Sequence, residues 1–493
     1  MCFGVSRCFG KAICCRDGVS FFCNCGGFLI VVFSSTVFLF LFLPGLMLLY
    51  FFPFCKSRKW KNAVLLIFSI AFYAWGEPLF VWVMLAYIIL NWLLVLIMDK
   101  SKQHRKAWLT AAIVLDVLLI GIFKYASFLS ENLALLTGND RLIVNIALPV
   151  GISFFTFQLM SYVFDVYYGK AFVQDNPLYV ALYISLFPQL IAGPIVRYRQ
   201  IENEILDRHE SFSEIWAGMK RFIYGLAKKV LIANFVAQIA DNAFDNFSLQ
   251  TPSVLFAWLG AIAYTLQIYF DFSGYSDMAI GLGQIFGFHF LENFNYPYIA
   301  GSVTDFWRRW HISLSTWFRD YVYIPLGGNR VKKSRWILNL FIVWLLTGIW
   351  HGANWTFVLW GLIYFVVLLF EKITGIDSKN SILTHVWTLL IVVIAWVFFR
   401  AADLRSGWDY LSTMFGFSAS AFIGLDFIQA LRNTWSILII ALFGTTPLVS
   451  GFFNRLRQKG LAWIENSWLI IIFCLSLIEV ISSTYNPFIY FNF

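Results

Sequence analysis

Residues 336–370, WILNLFIVWLLTGIWHGANWTFVLWGLIYFVVLLF, decide the fold class, because two apolar runs flank a histidine, His351. Each run approaches the roughly 20 apolar residues that cross a bilayer as a helix. A charged side chain at bilayer depth costs about 2.5 kcal/mol or more, so a histidine there usually faces a polar cavity and serves chemistry or proton transfer. The stretch predicts a helical membrane protein with a functional histidine.

The composition of the whole chain supports this class. Of its 493 residues, 60% are hydrophobic and 13% are charged, against about 25% charged in soluble domains, and its mean hydropathy is +0.73. The formal charge of +9 comes from basic residues that lie mainly in short loops, which favours cytoplasmic anchoring over nucleic-acid binding. We predict an all-α, polytopic integral membrane protein.

Apolar segments predict about ten to twelve transmembrane helices with interfacial or re-entrant helices between them. The segments lie near residues 33–54, 62–75, 78–98, 108–128, 143–167, 178–195, 253–272, 336–350, 354–370, 385–399, 434–452 and 467–483. Gly76-Glu77-Pro78 predicts a tight turn between the second and third segments. Basic clusters at 56–61 and 100–106 flank this hairpin, which predicts that both flanking loops are cytoplasmic. Residues 197–250 and 401–432 mix charges with apolar residues, as is typical of interfacial segments.

The N-terminal residues 1–30 have a different character. They hold six of the eight cysteines, without the C-x-x-C spacing of zinc sites, so we predict no metal site there. No cleavage site of a signal peptide follows their basic residues. We interpret residues 1–30 as a Cys-rich extension that is not native, with the true start near Val31 or Val32, and residues 31–493 as a single membrane domain.

A second motif is DFWRRWHISLSTWFRD at residues 305–320. Its spacing predicts one amphipathic helix with His311 in the apolar stripe, and an interfacial helix that holds lipid headgroups explains the pattern equally well. Asp271 and Asp277 lie beside an apolar segment, which favours either a polar cavity or hydrogen bonds between helices. The glycines at 281, 283 and 287 lack the spacing of a dinucleotide site and favour close helix packing. Nucleophile-elbow, phosphate-loop and zincin motifs are absent from the sequence.

Together these motifs resemble the membrane-bound O-acyltransferase family, in particular its branch of alginate O-acetyltransferases and teichoic acid D-alanine transferases. The resemblance covers about residues 32–493. Its most specific pieces are NFNYPY at 293–298, FWRRWHISLS at 306–315, YIPLGGNR at 323–330 and WHG at 350–352. Supporting pieces are PVGISF at 149–154, FPQLIAGPI at 187–195 and DFSGYSD at 271–277.

The resemblance implies a ring of helices around a thin central funnel that leads to the motif histidine, which matches His351. His351 would be the general base that deprotonates an acyl acceptor, because a neutral imidazole suits that task. His311 matches the second motif histidine and would orient substrate or stabilise charge. Further candidate substrate-binding residues are Asn354 for oxyanion contacts, Arg308 and Arg309 for donor phosphates, and Asp271.

The resemblance further implies acetyl transfer across the cytoplasmic membrane of a bacterium for O-acetylation of an exopolysaccharide or cell-wall glycan. Acetyl-CoA on the cytoplasmic side would be the donor, with no tightly bound cofactor, and a separate extracytoplasmic acetyltransferase or acyl-acceptor protein would be the partner. D-alanyl transfer to teichoic acid and acylation of a lipid or protein are alternatives within the enzyme class. A transporter would also explain the spans, but it predicts inverted repeats that the sequence lacks.

Overall fold

The computed structural model describes residues 32–493 apart from residues 55, 246, 248–250, 379–380, 484 and 490–493; before residue 32 it describes only the backbone of three strands. These strands, β1 (Arg7–Cys8), β2 (Lys11–Arg16) and β3 (Val19–Phe22), pair antiparallel in the order β1-β2-β3. The structure describes none of the cysteine side chains before residue 32, so the predictions about these cysteines and about the start of the native chain lie outside what it describes. The chain divides into two compact units, residues 1–187 and 188–493, and the single domain over residues 31–493 stays a prediction.

The first unit is helical from residue 38 onward. Its α-helices are α1 (Leu43–Tyr50), α2 (Arg58–Gly76), α3 (Phe80–Lys100), α4 (Arg105–Ile120), α5 (Ala126–Thr137), α6 (Ile152–Tyr167) and α7 (Pro177–Ser185). Turns of π-helix at Phe38–Phe42 and Gly121–Tyr125 precede α1 and join α4 to α5, and a 3-10 turn covers Asp140–Leu142. Because α2 ends at Gly76 and α3 begins at Phe80, the predicted tight turn between them is confirmed.

The second unit carries the motif histidines, and the short helix α8 (Phe187–Leu190) spans the boundary between the units in the sequence. Its helices are α9 (Tyr198–Leu206), α10 (Phe212–Ala227), α11 (Asn234–Asp245), α12 (Val254–Ile285), α13 (Val303–Arg309), α14 (Ile312–Phe318), α15 (Lys333–His351), α16 (Trp355–Thr374), α17 (Ile382–Arg400), α18 (Leu404–Met414), α19 (Leu425–Gly444), α20 (Leu448–Gln458) and α21 (Ala462–Ser482). Turns of π-helix lie at Lys228–Ala233 and Arg319–Tyr323, and 3-10 turns at Pro297–Ile299 and Ile376–Ser378.

Eight helices among the described residues are long and apolar enough to cross a membrane, which confirms a polytopic helical protein. They are Phe80–Lys100, Arg105–Thr137, Phe212–Asp245, Val254–Ile285, Trp355–Thr374, Ile382–Arg400, Leu425–Gly444 and Ala462–Ser482. The number is below the ten to twelve expected, because five of the predicted segments (33–54, 62–75, 143–167, 178–195 and 336–350) form shorter or less apolar helices.

The helix Phe212–Asp245 lies where the sequence suggested a pair of interfacial helices. Three of its four basic side chains are neutralised by carboxylates of α12: Lys228 and Arg221 both pair with Asp277, at 2.6 and 2.9 Å, and Lys229 pairs with Asp271 at 2.7 Å. A charge that is paired inside the protein costs far less than an isolated one. Counting charges along the sequence therefore underestimates how readily this segment enters a membrane.

Glycines bring α10 and α12 into backbone contact. A Cβ atom on Gly218 would lie 2.6 Å from the carbonyl oxygen of Gly281, and one on Gly225 would lie 2.6 Å from that of Gly274. Small residues at facing positions let helix backbones approach closely in membrane proteins. The interpretation of the glycines around residue 281 as packing residues is confirmed at Gly281.

Candidate active site

His351 is the last residue of α15, and close packing against α16 fixes its place. A Cβ atom on Gly348 would lie 2.4 Å from the carbonyl oxygen of Phe357, and one on Gly361 would lie 2.5 Å from that of Trp344. The two backbones therefore meet one turn before His351. The histidine is held by a rigid helix pair rather than by a loop.

The turn after His351 is equally constrained. A Cβ atom on Gly352 would lie 2.2 Å from the ring of Phe357, so no larger residue fits there without movement of the ring. Asn354 caps α16, since its side-chain oxygen accepts from the backbone N–H of Thr356 at 3.1 Å, and its amide donates to the carbonyl of Ala402 at 2.8 Å. Both polar atoms of the Asn354 side chain thus make hydrogen bonds within the protein, and its oxyanion role stays a prediction.

Aromatic rings enclose the imidazole of His351, which is buried. The ring centroids of Trp350, Trp360 and Phe399 lie 5.0, 4.9 and 5.1 Å from its centroid, all nearly edge-on. An enclosed apolar wall keeps water away from the imidazole. Such a site suits a histidine that exchanges a proton with a bound substrate.

His311 interrupts the helix that the sequence predicted across residues 305–320. The chain forms α13 up to Arg309 and α14 from Ile312, and His311 between them has φ 43° and ψ 55°. This left-handed conformation costs a non-glycine residue about 1–3 kcal/mol and occurs preferentially at functional sites. The prediction of a single amphipathic helix is therefore wrong, and His311 does not lie in a continuous apolar stripe.

Asn293 holds His311 in this conformation. Its backbone carbonyl accepts from Ile312 N–H at 2.9 Å, and its side-chain oxygen lies 3.1 Å from His311 Nδ1. The same oxygen accepts from the backbone N–H and the hydroxyl of Ser313, at 3.1 and 2.9 Å. The Asn293 amide nitrogen donates to the Ser276 hydroxyl at 3.1 Å. The side chains of Asn293, His311, Ser313 and Ser276 are all buried.

This network determines the tautomer of His311. The backbone N–H of Ser313 can only donate, so the Asn293 atom that it contacts is the carbonyl oxygen, and His311 Nδ1 must carry the hydrogen that this oxygen accepts. Burial lowers the pKa of His311 to about 3, so the ring is neutral near pH 7. Its Nε2 therefore carries a lone pair, and this buried atom has no hydrogen-bond partner among the described residues.

The two motif histidines share one aromatic wall. The centroid of the Trp350 ring lies 6.0 Å from that of His311 and 5.0 Å from that of His351, and the Phe272 ring meets His311 edge-on at 4.7 Å. The fold thus brings together residues 40 positions apart in the sequence. Both imidazoles therefore contact the Trp350 ring.

The remaining predicted residues lie elsewhere in the second unit. Arg308 is exposed on α13, and Arg309 pairs with Asp305 at 2.9 Å on the same helix. Asp271 is buried against Lys229 and also accepts from the backbone N–H of Ile489 at 2.9 Å. Their contacts indicate structural roles for Asp271 and Arg309, and their substrate-binding roles stay predictions.

Sequence reasoning missed Asn293 and Ser313 as site residues. Asn293 lies in the NFNYPY motif and Ser313 lies two positions after His311, but hydrogen bonds between them require the fold. The available signal was an amide in a motif close to a buried histidine, because such a histidine needs a partner for its N–H.

Comparison with known proteins relates this site to a family. A family model described as MBOAT, membrane-bound O-acyltransferase family, matches residues 171–399, a range that includes both histidines. The probable alginate O-acetylase AlgI of Pseudomonas aeruginosa is 37% identical over 94% of this chain and 100% of its own length. The peptidoglycan O-acetyltransferase of Helicobacter pylori is 32% identical over 94% and 98%. The teichoic acid D-alanyltransferase of Bacillus subtilis is 30% identical over 50% and 65%.

Proposed function

The chain belongs to the membrane-bound O-acyltransferase family, and on that premise we propose that it transfers acetyl groups for O-acetylation of a bacterial exopolysaccharide or cell-wall glycan. The observation that carries the proposal is the pair of buried imidazoles, His311 and His351, that both contact the ring of Trp350. The full-length similarity to alginate and peptidoglycan O-acetylating relatives supports acetyl as the acyl group and a glycan as the final acceptor.

In the proposed reaction, His351 is the general base. It takes the proton of an acceptor hydroxyl while the hydroxyl oxygen attacks the carbonyl carbon of an acetyl thioester. A C–O ester bond forms, the C–S bond breaks, and the thiolate leaves with the proton that the imidazolium returns. The aromatic enclosure of His351 favours this cycle, because it keeps water away from the thioester.

His311 is the orienting residue in this proposal. Its Nε2 accepts a hydrogen bond from a substrate N–H or O–H group, and Asn293 keeps that lone pair available by binding Nδ1–H. A neutral ring does not stabilise a developing negative charge as an imidazolium would. The geometry therefore favours the orienting role over charge stabilisation.

We further propose acetyl-CoA as the cytoplasmic donor, a separate extracytoplasmic acetyltransferase as the protein partner, and the bacterial cytoplasmic membrane as the location. Thioester chemistry and the accumulation of basic residues in short loops support these choices. The second candidate function is D-alanyl transfer to teichoic acid, which the partial similarity to the Bacillus subtilis enzyme favours.

The experiment that tests the proposal is a comparison of envelope esters. Ester-linked acetate and D-alanine are measured in a deletion strain and in the same strain complemented with the wild-type gene. Restoration of acetate alone supports O-acetyl transfer, and restoration of D-alanine alone supports the second candidate. Unchanged esters of both kinds contradict both functions.

A further inference from the structure

A groove of about 1260 Å³ lies between α11 and α19 and is bounded at one end by the start of α12. Both α11 and α19 belong to helices that are long and apolar enough to cross a membrane. Only 11% of the most apolar 18-residue window of α19 is buried in the protein, so α19 is packed loosely. The groove is therefore a gap between two candidate transmembrane helices.

Amide side chains line this groove from both walls. Gln238 and Asn242 lie one turn apart on α11, and Gln429 and Asn433 lie one turn apart on α19. All four are exposed, and none of their side chains makes a hydrogen bond to another described residue. Polar groups on transmembrane helices are costly against hydrocarbon, so they require a polar ligand or water in the groove.

The polarity of the groove changes along its length. The end near Asn242 also has Thr251 and Asp426, whereas the opposite end is formed by apolar residues such as Leu231, Phe235 and Ile440. One polar end and one apolar end, along two helices that cross a membrane, match a lipid with its headgroup at the amides. A soluble polar molecule would match only the polar end of the groove.

Charge narrows the class of lipid. Neither lysine nor arginine occurs among the described residues that line the groove, and the only charged side chain there is the carboxylate of Asp426. This carboxylate accepts from the backbone N–H and hydroxyl of Ser253 at 2.9 and 2.8 Å. An anionic headgroup would meet no cation and one negative charge, whereas an ammonium group next to a phosphate finds acceptors and amide donors.

The position of the basic residues assigns the leaflet. The chain leaves the C-terminal end of α19 into α20, where Arg455, Arg457 and Lys459 follow. Basic residues accumulate in cytoplasmic loops, so the start of α19, with the polar end of the groove, lies on the extracytoplasmic side. We propose that this groove binds a zwitterionic phospholipid of the phosphatidylethanolamine type from the extracytoplasmic leaflet, and that the lipid holds α19 against α11.

The test uses the full-length protein, purified and delipidated in mild detergent. Phosphatidylethanolamine or phosphatidylglycerol of the same acyl chains is added back; bound lipid is counted by native mass spectrometry, and the unfolding temperature is measured. The groove variant is Gln429→Leu with Asn433→Leu. The control is Arg432→Leu, a polar-to-leucine change on the same helix outside the groove lining.

We expect wild type and the control to retain phosphatidylethanolamine preferentially and to gain unfolding temperature from it. The groove variant loses two hydrogen-bonding side chains, so its affinity for this lipid is expected to fall about tenfold. Gln238→Leu with Asn242→Leu on the facing wall should give the same loss, which covers the case in which the first variant does not fold. Equal retention of phosphatidylglycerol, or unchanged retention in the groove variants, overturns the proposal. The readout is independent of acetyl transfer.

Discussion

Replacement of Asn293 by leucine, which is similar in size and cannot accept a hydrogen bond, tests the network that holds His311. The Asn293 oxygen accepts from His311 Nδ1–H at 3.1 Å and from Ser313 N–H at 3.1 Å. Neither donor can turn away, and each buried donor without a partner costs about 1–3 kcal/mol, so stability should fall by about 2–6 kcal/mol. Folded protein that has lost only the hydrogen bond that orients His311, worth about 1–2 kcal/mol, should transfer acetyl groups roughly 5- to 30-fold more slowly.

The assay is acetyl transfer in membranes, normalised to the amount of protein. Ser276→Ala is the matched control, because it removes only the acceptor of the Asn293 amide and leaves the contact with His311 intact; we expect about a twofold loss at most. In Asn293→Asp the acceptor remains, but a carboxylate beside His311 raises the pKa of the ring, so the acidic limb of the pH profile should move to higher pH. Full activity of Asn293→Leu, or an equal loss in Ser276→Ala, would refute the orienting role.

Three further predictions concern an ion pair, a helix-packing glycine and a histidine of the second unit. Lys229→Met leaves the buried carboxylate of Asp271 without its cation and should lower the free energy of unfolding by about 3–5 kcal/mol. The double variant Lys229→Met with Asp271→Leu should recover most of this lost stability. A thermal unfolding series in which the double variant shows no recovery would contradict the stabilising role of the ion pair. Gly225→Ala should cost about 1–3 kcal/mol, because its Cβ would lie 2.6 Å from a carbonyl oxygen. Gly45→Ala, in helix α1 with open space around it, should not lower the unfolding temperature. Burial lowers the pKa of His289, but two neighbouring glutamates outweigh this effect and raise the pKa. The contribution of His289 to stability is therefore complete below about pH 6.5 and is lost as pH rises through the folded-state pKa. The difference in unfolding temperature between wild type and His289→Gln should shrink over that range, and a constant difference would contradict this prediction.

Local signals in the sequence predicted some features correctly. The turn at Gly76-Glu77-Pro78 depends on the backbone preferences of glycine and proline, which act without tertiary contacts. The packing role of Gly281 follows from its apolar helical surroundings. The alternative of interhelical contacts for Asp271 and Asp277 is confirmed by their ion pairs with Lys229, Lys228 and Arg221.

Features that depend on distant partners could not be read from the sequence. The break at His311 arises because Asn293 supplies hydrogen bonds that compensate for a left-handed residue, whereas the periodicity of residues 305–320 alone favours one continuous helix. The same holds for the helix that contains Lys228, whose charge is neutralised by a carboxylate 49 positions away. In both places a tertiary contact overrides the local pattern.

The most direct test of the proposed mechanism is the ester-linked acetate content of the cell envelope in a deletion strain complemented with wild type, His351→Ala or His104→Ala. His104 is exposed at the start of α4, so its replacement controls for the loss of an imidazole outside the site. With equal amounts of the three proteins in the membrane, we predict that acetate returns with wild type and His104→Ala and is absent with His351→Ala. Full acetate with His351→Ala would contradict its role as the general base.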